Sequence, residues 1–526
     1  MSTLIQGARI IDGSGAPWVL GDVLIEAGRI AAMGARLTVT GAEIIKAYGR
    51  YLAPGFIDAH CHDDLICLRE PAREEKVLQG VTTIVTGNCS FSLFPALPES
   101  QDLLRRHFST LLGEVLPDEI FGSVNAYRAA LAKAGIGVNL VPLLGHAALR
   151  FAVMGESSRA ATPSERAAMQ ALLARELRAG AAGLSLGLVY PPSAFADTAE
   201  LEALAETVKA EGKLLTAHIR SYEGGLLDSI DEFLGLLRHS GAAGLLSHLQ
   251  AAGRPNWGKI GTALQTLDSA RAEGIDVAFD MYPYVAGSSY ALQLLPPAAL
   301  ANGIGSLCEK LSDAKEREVL RQAVEEAPEA KVALIGWRNI RIAGVTNPAL
   351  KSFEGQNMEA AATMSGVTPF DIFCRLVRED AGQTSIIMFQ LDEADLHAAC
   401  THPLHMIGSD GLPRPGTRPH PRAFGTFPRV VGPLRREAKW FPLEDAVRRM
   451  TSAPAQRFGL TDRGLIRPHM VADLVLFDEQ VTDHASFDDP IQPPSGITDV
   501  WVGGRRTVAD GGATGAKPGQ LLGGVF

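Results

Sequence analysis

Cysteine is scarce in this chain, with six in 526 residues at positions 61, 67, 89, 308, 374 and 400. So thin a scatter argues against the disulfide framework of a small secreted protein and leaves each thiol free, buried unless a metal recruits it. Long apolar runs are missing too. No stretch approaches the ~18 residues of a membrane span, and Met1-Ser-Thr-Leu-Ile-Gln-Gly-Ala-Arg9 lacks a charged region followed by an apolar one. A cytoplasmic protein without a membrane partner is therefore expected. Positive charge is in deficit: 49 Lys+Arg against 59 Asp+Glu give a net charge of -10, with no basic run to track a phosphate backbone. Nucleic acid is excluded as an expected partner. Fixed-period repeats and low-complexity segments are also missing.

What is present is ample core material, since 46% of residues are hydrophobic and 21% charged, as in an ordinary globular protein. The length exceeds a typical single domain, although α/β barrels run larger as one unit. Residues 2–50 alternate in short apolar segments broken by Gly and Asp, and the C-terminal part repeats the style in Ala472-Asp-Leu-Val-Leu-Phe477 and Ile497-Thr-Asp-Val-Trp-Val502. Neither end has enough residues for its own core, so the two are expected to pair as one small β domain, residues 1–52 with 462–526.

Between them, strands alternate with helices, the pattern of βαβ units and a parallel sheet. Candidate strands are 55–60, 82–86, 138–143, 183–188, 214–218, 244–248, 276–280, 385–389 and 405–410. A helix from Thr198 to Glu211 can be capped by Asp197 or Thr198, and Thr368-Pro-Phe-Asp371 has Pro in the first turn with a capping acid. The expected architecture is α/β: a (β/α)8 TIM-like barrel over 53–461, with a small β-sandwich domain built from both termini. Nine candidates for eight barrel strands mean that one belongs elsewhere. The composition shift over 290–345 reads as an inserted subdomain over the barrel mouth, a lid or mere decoration.

Metal-competent residues fall at the C-terminal ends of these strands. His60 and His62 follow the run Tyr51-Leu-Ala-Pro-Gly-Phe-Ile-Asp58, and strand alternation aims both rings to one side and Cys61 to the other. Cys89 follows Thr82-Thr-Ile-Val-Thr86, His218 and His248 end two more strands, and Asp410 ends another. In an α/β barrel that rim is the active-site face, where residues distant in sequence meet. Imidazole nitrogen and thiolate sulfur suit zinc, and a catalytic site uses three protein ligands plus water. Cys89, His218 and His248 make such a trio, leaving His60 and His62 for a second, weaker ion or the opposite wall. Asp410, in the tight turn Gly408-Ser-Asp-Gly411, is placed to act as general base and then acid.

With these residues in view the chain resembles the amidohydrolase superfamily, and within it the N-acyl-D-amino-acid deacylases (D-aminoacylases), over nearly its whole length. The segments that carry the resemblance are Ala53-Pro-Gly-Phe-Ile-Asp-Ala-His-Cys-His-Asp63, Gly80-Val-Thr-Thr-Ile-Val-Thr-Gly-Asn-Cys-Ser-Phe-Ser92, Gly183-Leu-Ser-Leu-Gly-Leu-Val-Tyr-Pro-Pro192, Ser247-His-Leu-Gln250, Asp280-Met-Tyr-Pro-Tyr284 and Pro419-His-Pro-Arg422. The resemblance implies a hydrolase that splits an N-acyl-D-amino acid into a carboxylate and the free D-amino acid, by metal-activated water with Asp410 as acid and base. It implies a tight zinc on Cys89, His218 and His248, with His60, His62 and Asp410 facing a weaker position. It also places substrate-holding roles on Tyr190, Arg422 and a tyrosine of the pair Tyr282 and Tyr284.

One departure stands out. The family commonly carries His-X-Lys after the second metal histidine, a cation for the substrate carboxylate, whereas this chain has His248-Leu-Gln250. Loss of one charged hydrogen bond costs about 1.5–3 kcal/mol. Arg220 and Arg254 are the nearby replacements to weigh, against ordinary exposed-loop roles for both. Gln250 thus keeps a second reading open, a hydantoinase-like enzyme for a cyclic amide, or one for a peptide-like or other N-acyl substrate without a free carboxylate. Those enzymes usually have a bridging lysine, and no lysine stands at a matching strand end here. A catalytically dead scaffold is a third reading, opposed by the survival of every ligand position. The expected partner is a small N-acylated amino acid, and an oligomer is allowed.

Overall fold

The computed structural model describes residues 2–523. Eight parallel strands form one sheet in chain order: Phe56–Asp58, Val81–Thr86, Asn139–Gly145, Gly183–Gly187, Leu214–His218, Ala243–Leu246, Val277–Met281 and His405–Ile407. The outer two strands meet: the Ala59 N–H donates to the Ile407 carbonyl at 3.1 Å, and the Asp410 N–H to the His60 carbonyl at 2.7 Å. The sheet is thereby curled into a nearly closed barrel. Its strands read as near-continuous apolar runs because both faces are covered, and all of Val81–Thr86 is buried.

Outside, amphipathic helices cover the sheet. Thr198–Ala210 is capped by the Asp197 carboxylate on the Glu200 N–H at 2.9 Å and buries Leu201, Leu204 and Val208. Inside, Ile57, Val85, Val141, Leu143, Leu245 and Met406 form one cluster with Phe458 and Leu460. The C-terminal segment returns to this layer, where Leu140 donates to Gln520 and Leu522 to Leu140 at 2.9 and 2.8 Å.

The two ends of the chain interleave in a nine-stranded sheet. Tyr51–Pro54 pairs with Ser2–Ile10 on one side and with Leu474–Thr482 on the other. Alternation along that strand divides its side chains: Leu52 joins Ile5, Val23, Leu474 and Trp501 in a small separate core, while Tyr51 and Ala53 join the main one.

The barrel repeat is interrupted between Val277–Met281 and His405–Ile407 by a three-stranded antiparallel sheet and several short helices. This interruption corrects the strand assignment from sequence, because Ser385–Phe389 is the central strand of that small sheet, between Ala286–Tyr290 and Ile340–Gly344, and not a barrel strand. A buried apolar run after a helix looks the same in either setting, and only its antiparallel partners distinguish them. The interruption also reaches beyond 290–345, running over residues 282–404. Among the described residues no helix is long and apolar enough to cross a membrane.

Candidate metal centre

Residues at or just beyond the ends of separate strands meet at one buried point at the barrel rim. His60 and His62 lie with ring centroids 5.5 Å apart, while Cys61 between them turns away and its thiol donates to the Val85 carbonyl at 3.4 Å. Cys89 follows Val81–Thr86, and its Sγ lies 3.4 Å from His60 Nε2 and 3.5 Å from His248 Nε2. Two sets of three donors result, His60, His62 and Cys89, and Cys89, His218 and His248, each with its donor atoms within 4.8 Å of one another. Cys89 belongs to both. The trio expected from sequence, Cys89, His218 and His248, is one of these sets, and the same sulfur also lies within reach of His60 and His62.

The backbone is bent to achieve this. Cys89, His248 and Asp410 adopt φ of 52°, 36° and 48°, left-handed conformations that cost about 1–3 kcal/mol for residues with a Cβ. Close approach is also needed: a Cβ at Gly187 would stand 2.2 Å from the Cys89 carbonyl, and one at Gly408 would stand 2.6 Å from the His60 Cβ. Glycine alone fits there.

Electrostatics match the geometry. Burial pushes the Cys89 thiol up, but the charge of His60, with His218 and His248 alongside, outweighs it and holds the group well below the usual thiol range. Burial likewise opposes ionisation of Asp410, and the Arg422 guanidinium with His62 and His60 keeps its carboxyl well below the usual range. Its Oδ1 lies 3.3 Å from His62 Nε2 and 3.6 Å from His60 Nε2, and Arg422 Nη2 lies 2.9 Å from Oδ2. Burial and the neighbouring His248 push His218 down to about 4. Neither ring nitrogen of His218, nor Nδ1 of His62, has a hydrogen-bond partner, although both residues are buried. Buried polar nitrogens normally have one. A thiolate and imidazoles with free nitrogens form the donor set that a borderline-soft divalent metal takes, so these residues fit an ion.

Beside this corner opens a small cavity lined by Cys89, His218, His248 and Asp410, by Tyr190, Gln250 and Tyr282, and on its far side by Ser289, Gln293, Lys331 and Gln390 from the interruption. Tyr190 accepts from Gln293 Nε2 at 3.4 Å, and Tyr282 donates its hydroxyl to Gln250 Oε1 at 3.3 Å. Two expected substrate residues stand elsewhere. Arg422 is fully buried behind Asp410, its guanidinium 4.3 Å from the Tyr282 ring centroid, and Tyr284 packs against His420 and under Arg429. Neither lines the cavity. Arg422 Nη2 holds Asp410 Oδ2, while its Nε and Nη1 have no hydrogen-bond partner.

The sequence reading passed over Asp280. Its Oδ1 accepts the His248 N–H at 3.0 Å and lies 3.2 Å from His60 Nδ1, so one carboxylate fixes two donors from different strands. The signal was available, since Asp280 lies near the end of a barrel strand like the others. Asp58 was passed over too: it accepts the Ser409 N–H at 2.7 Å and pairs with Lys76 at 2.8 Å, holding the turn that presents Asp410.

Residues 43–508 match the amidohydrolase family. An N-acyl-D-aspartate deacylase from Alcaligenes xylosoxydans xylosoxydans is 37% identical over 99% of this chain and 94% of its own length. The crystal structure of N-acyl-D-glutamate deacylase from Bordetella bronchiseptica, complexed with zinc and a phosphonate mimic of the tetrahedral intermediate, superposes with a TM-score of 0.83 at 36% identity over 99% of both chains. A D-aminoacylase structure with a binuclear metal centre, described by one-metal activation and second-metal attenuation, gives a TM-score of 0.83 at 33% identity, again over 99% of both. The family match over most of the chain, with relatives of 33–37% identity over 99% of it, places the chain in the amidohydrolase family, in its N-acyl-D-amino-acid deacylase branch.

Proposed function

We propose that this protein is a metal-dependent hydrolase that cleaves the amide of an N-acyl-D-amino acid to a carboxylate and a free D-amino acid. The observation that carries the reading is the pair of three-donor sets sharing Cys89, with the Asp410 carboxylate beside them. Zinc is the ion that this donor chemistry favours, held firmly by Cys89, His218 and His248 and more weakly by His60, His62 and Asp410 with the shared sulfur. Bound there, it would lower the pKa of water and polarise the scissile carbonyl.

The chain's own groups account for the rest. Arg422 keeps the Asp410 carboxyl ionised and takes up Oδ2, which leaves Oδ1 to accept a proton from the attacking water and return it to the leaving nitrogen. Tyr190, Gln250 and Tyr282 face the cavity and hold the acylated amino acid. We assign residues 53–461 to the catalytic barrel, 1–52 and 462–526 to the small β domain, and the interruption over 282–404, wider than the 290–345 read from sequence, to the lid that shuts out water. Six free thiols and a small-molecule substrate support a cytoplasmic setting.

Steady-state kinetics on N-acetyl-D-amino acids, their L-enantiomers and hydantoins test the reading. A preference for the D-enantiomer of open-chain substrates is expected. Preference for a ring or for the L-enantiomer would overturn it in favour of the cyclic-amide reading that Gln250 suggested.

A further inference from the structure

The far side of the cavity carries a charge that the proposed reaction leaves unused. Of the residues that line the cavity, Lys331 is the one lysine or arginine. It begins the short helix Lys331–Ile335 of the interruption, and its Nζ pairs with the carboxylate of Glu223, in the loop after the barrel strand Leu214–His218. Glu223 is 7% exposed, and its second oxygen accepts the Ser221 hydroxyl and the Tyr222 N–H at 3.1 and 3.2 Å. Just before the helix, Glu329 accepts the Gly224 N–H at 2.7 Å. The same loop therefore fixes this stretch of chain twice.

The other cations near the site do not line the cavity. Arg220 binds Glu232 and the Ala194 and Ala196 carbonyls at 2.8–2.9 Å, and Arg254 lies outside the cavity against Trp257. Arg422 is buried behind Asp410. Gln250, at the position where the family commonly has lysine, accepts at Oε1 from Tyr282 at 3.3 Å and from Gln390 at 3.4 Å, and as a neutral amide it supplies no charge.

We propose that Lys331 receives the α-carboxylate of the substrate, so that the cation missing from the barrel strand end is supplied by the interruption. An ammonium has three donors and can hold Glu223 and a substrate carboxylate together. The Glu223 charge weakens that attraction without abolishing it. One cation serves one carboxylate, so the preferred substrates are N-acyl-D-amino acids with uncharged side chains. This rests on the deacylase reading above.

The test measures kcat and KM for N-acetyl-D-leucine, its carboxamide and N-acetyl-D-aspartate on the native enzyme, Lys331→Met, Glu223→Gln and Lys331→Met with Gln250→Lys. Lys331→Met should raise KM for N-acetyl-D-leucine roughly 10- to 100-fold, the scale of one lost charged hydrogen bond, and leave the carboxamide unchanged as a control for folding. Adding Gln250→Lys should restore most of the loss, and Glu223→Gln should lower KM. Equal damage to acid and carboxamide, or a fall in kcat alone, would show that Lys331 merely fastens the loop. Faster turnover of N-acetyl-D-aspartate than of the leucine substrate would overturn the single-carboxylate assignment. Failure of the native enzyme on every N-acetyl-D substrate would sink the deacylase reading itself, and this inference with it.

Discussion

On the barrel side of the cavity, His60, Cys89, His218, His248 and Asp410 are buried, arrive from separate strand ends and lie within a few ångströms of one another. On the opposite side, Ser289, Gln293, Lys331 and Gln390 come from a small antiparallel sheet and short helices inserted into the repeat. The first wall is fixed by the closure of the barrel and shares its rigidity. The second is hung on a segment that the barrel does not need in order to close. Reactivity is thus built into the scaffold and selectivity into an addition, which allows one to change without the other.

If that division holds, changes to the barrel wall abolish turnover and changes to the other wall alter KM. The largest effect is expected from Cys89→Ala, which removes the sulfur common to both donor sets. Zinc content and turnover should be lost together, as elemental analysis and kinetics on the same preparation will show. A full zinc complement in that variant would break the comparison. Asp410→Asn comes next, with kcat falling about 10²- to 10⁴-fold while zinc is retained. A near-normal rate would remove Asp410 as the base.

Asp280→Asn sharpens the comparison by acting through His60 and His248. Metal affinity or activity should fall about 10- to 100-fold, with KM nearly unchanged once zinc is saturating. The smallest effect concerns a strand's other end. His405 is 1% exposed, and burial with the Arg449 charge pushes it down to about 3. Its folded pKa lies below the ordinary value of 6.5. The stability it contributes is therefore complete above pH ~6.5 and lost as pH falls toward about 3, at up to about 1.4 kcal/mol per pH unit. His405→Gln should flatten that part of the acid-denaturation profile and leave kinetics at neutral pH unchanged.

Much of the barrel wall was legible in the sequence because each ligand ends its own apolar run, and strand ends of an α/β barrel share a rim whatever the loop lengths between them. His60, Cys89, His218, His248 and Asp410 were all readable on that basis. Asp280 obeys the same rule, one residue before the end of its strand. The other wall was not legible. Lys331 and Glu223 are separated by 108 residues, and nothing local in either segment marks the pairing. Ser385–Phe389 failed for a related reason: burial and length announce a strand, while the choice of sheet is made by partners far along the chain. The return of residues 519–522 to the strand beginning at Asn139 was equally hidden, since that pairing is backbone to backbone.

The left-handed turns at positions 89, 248 and 410 bear on how such an enzyme can decay. Glycine adopts those shapes freely, so a lineage that no longer needed an ion would gain stability by shedding the very side chains that bind it. Holding Cys89, His248 and Asp410 in those shapes is a standing cost that the donor set imposes on the fold. Among barrels of this kind, glycine at those three positions would mark the members that have abandoned chemistry.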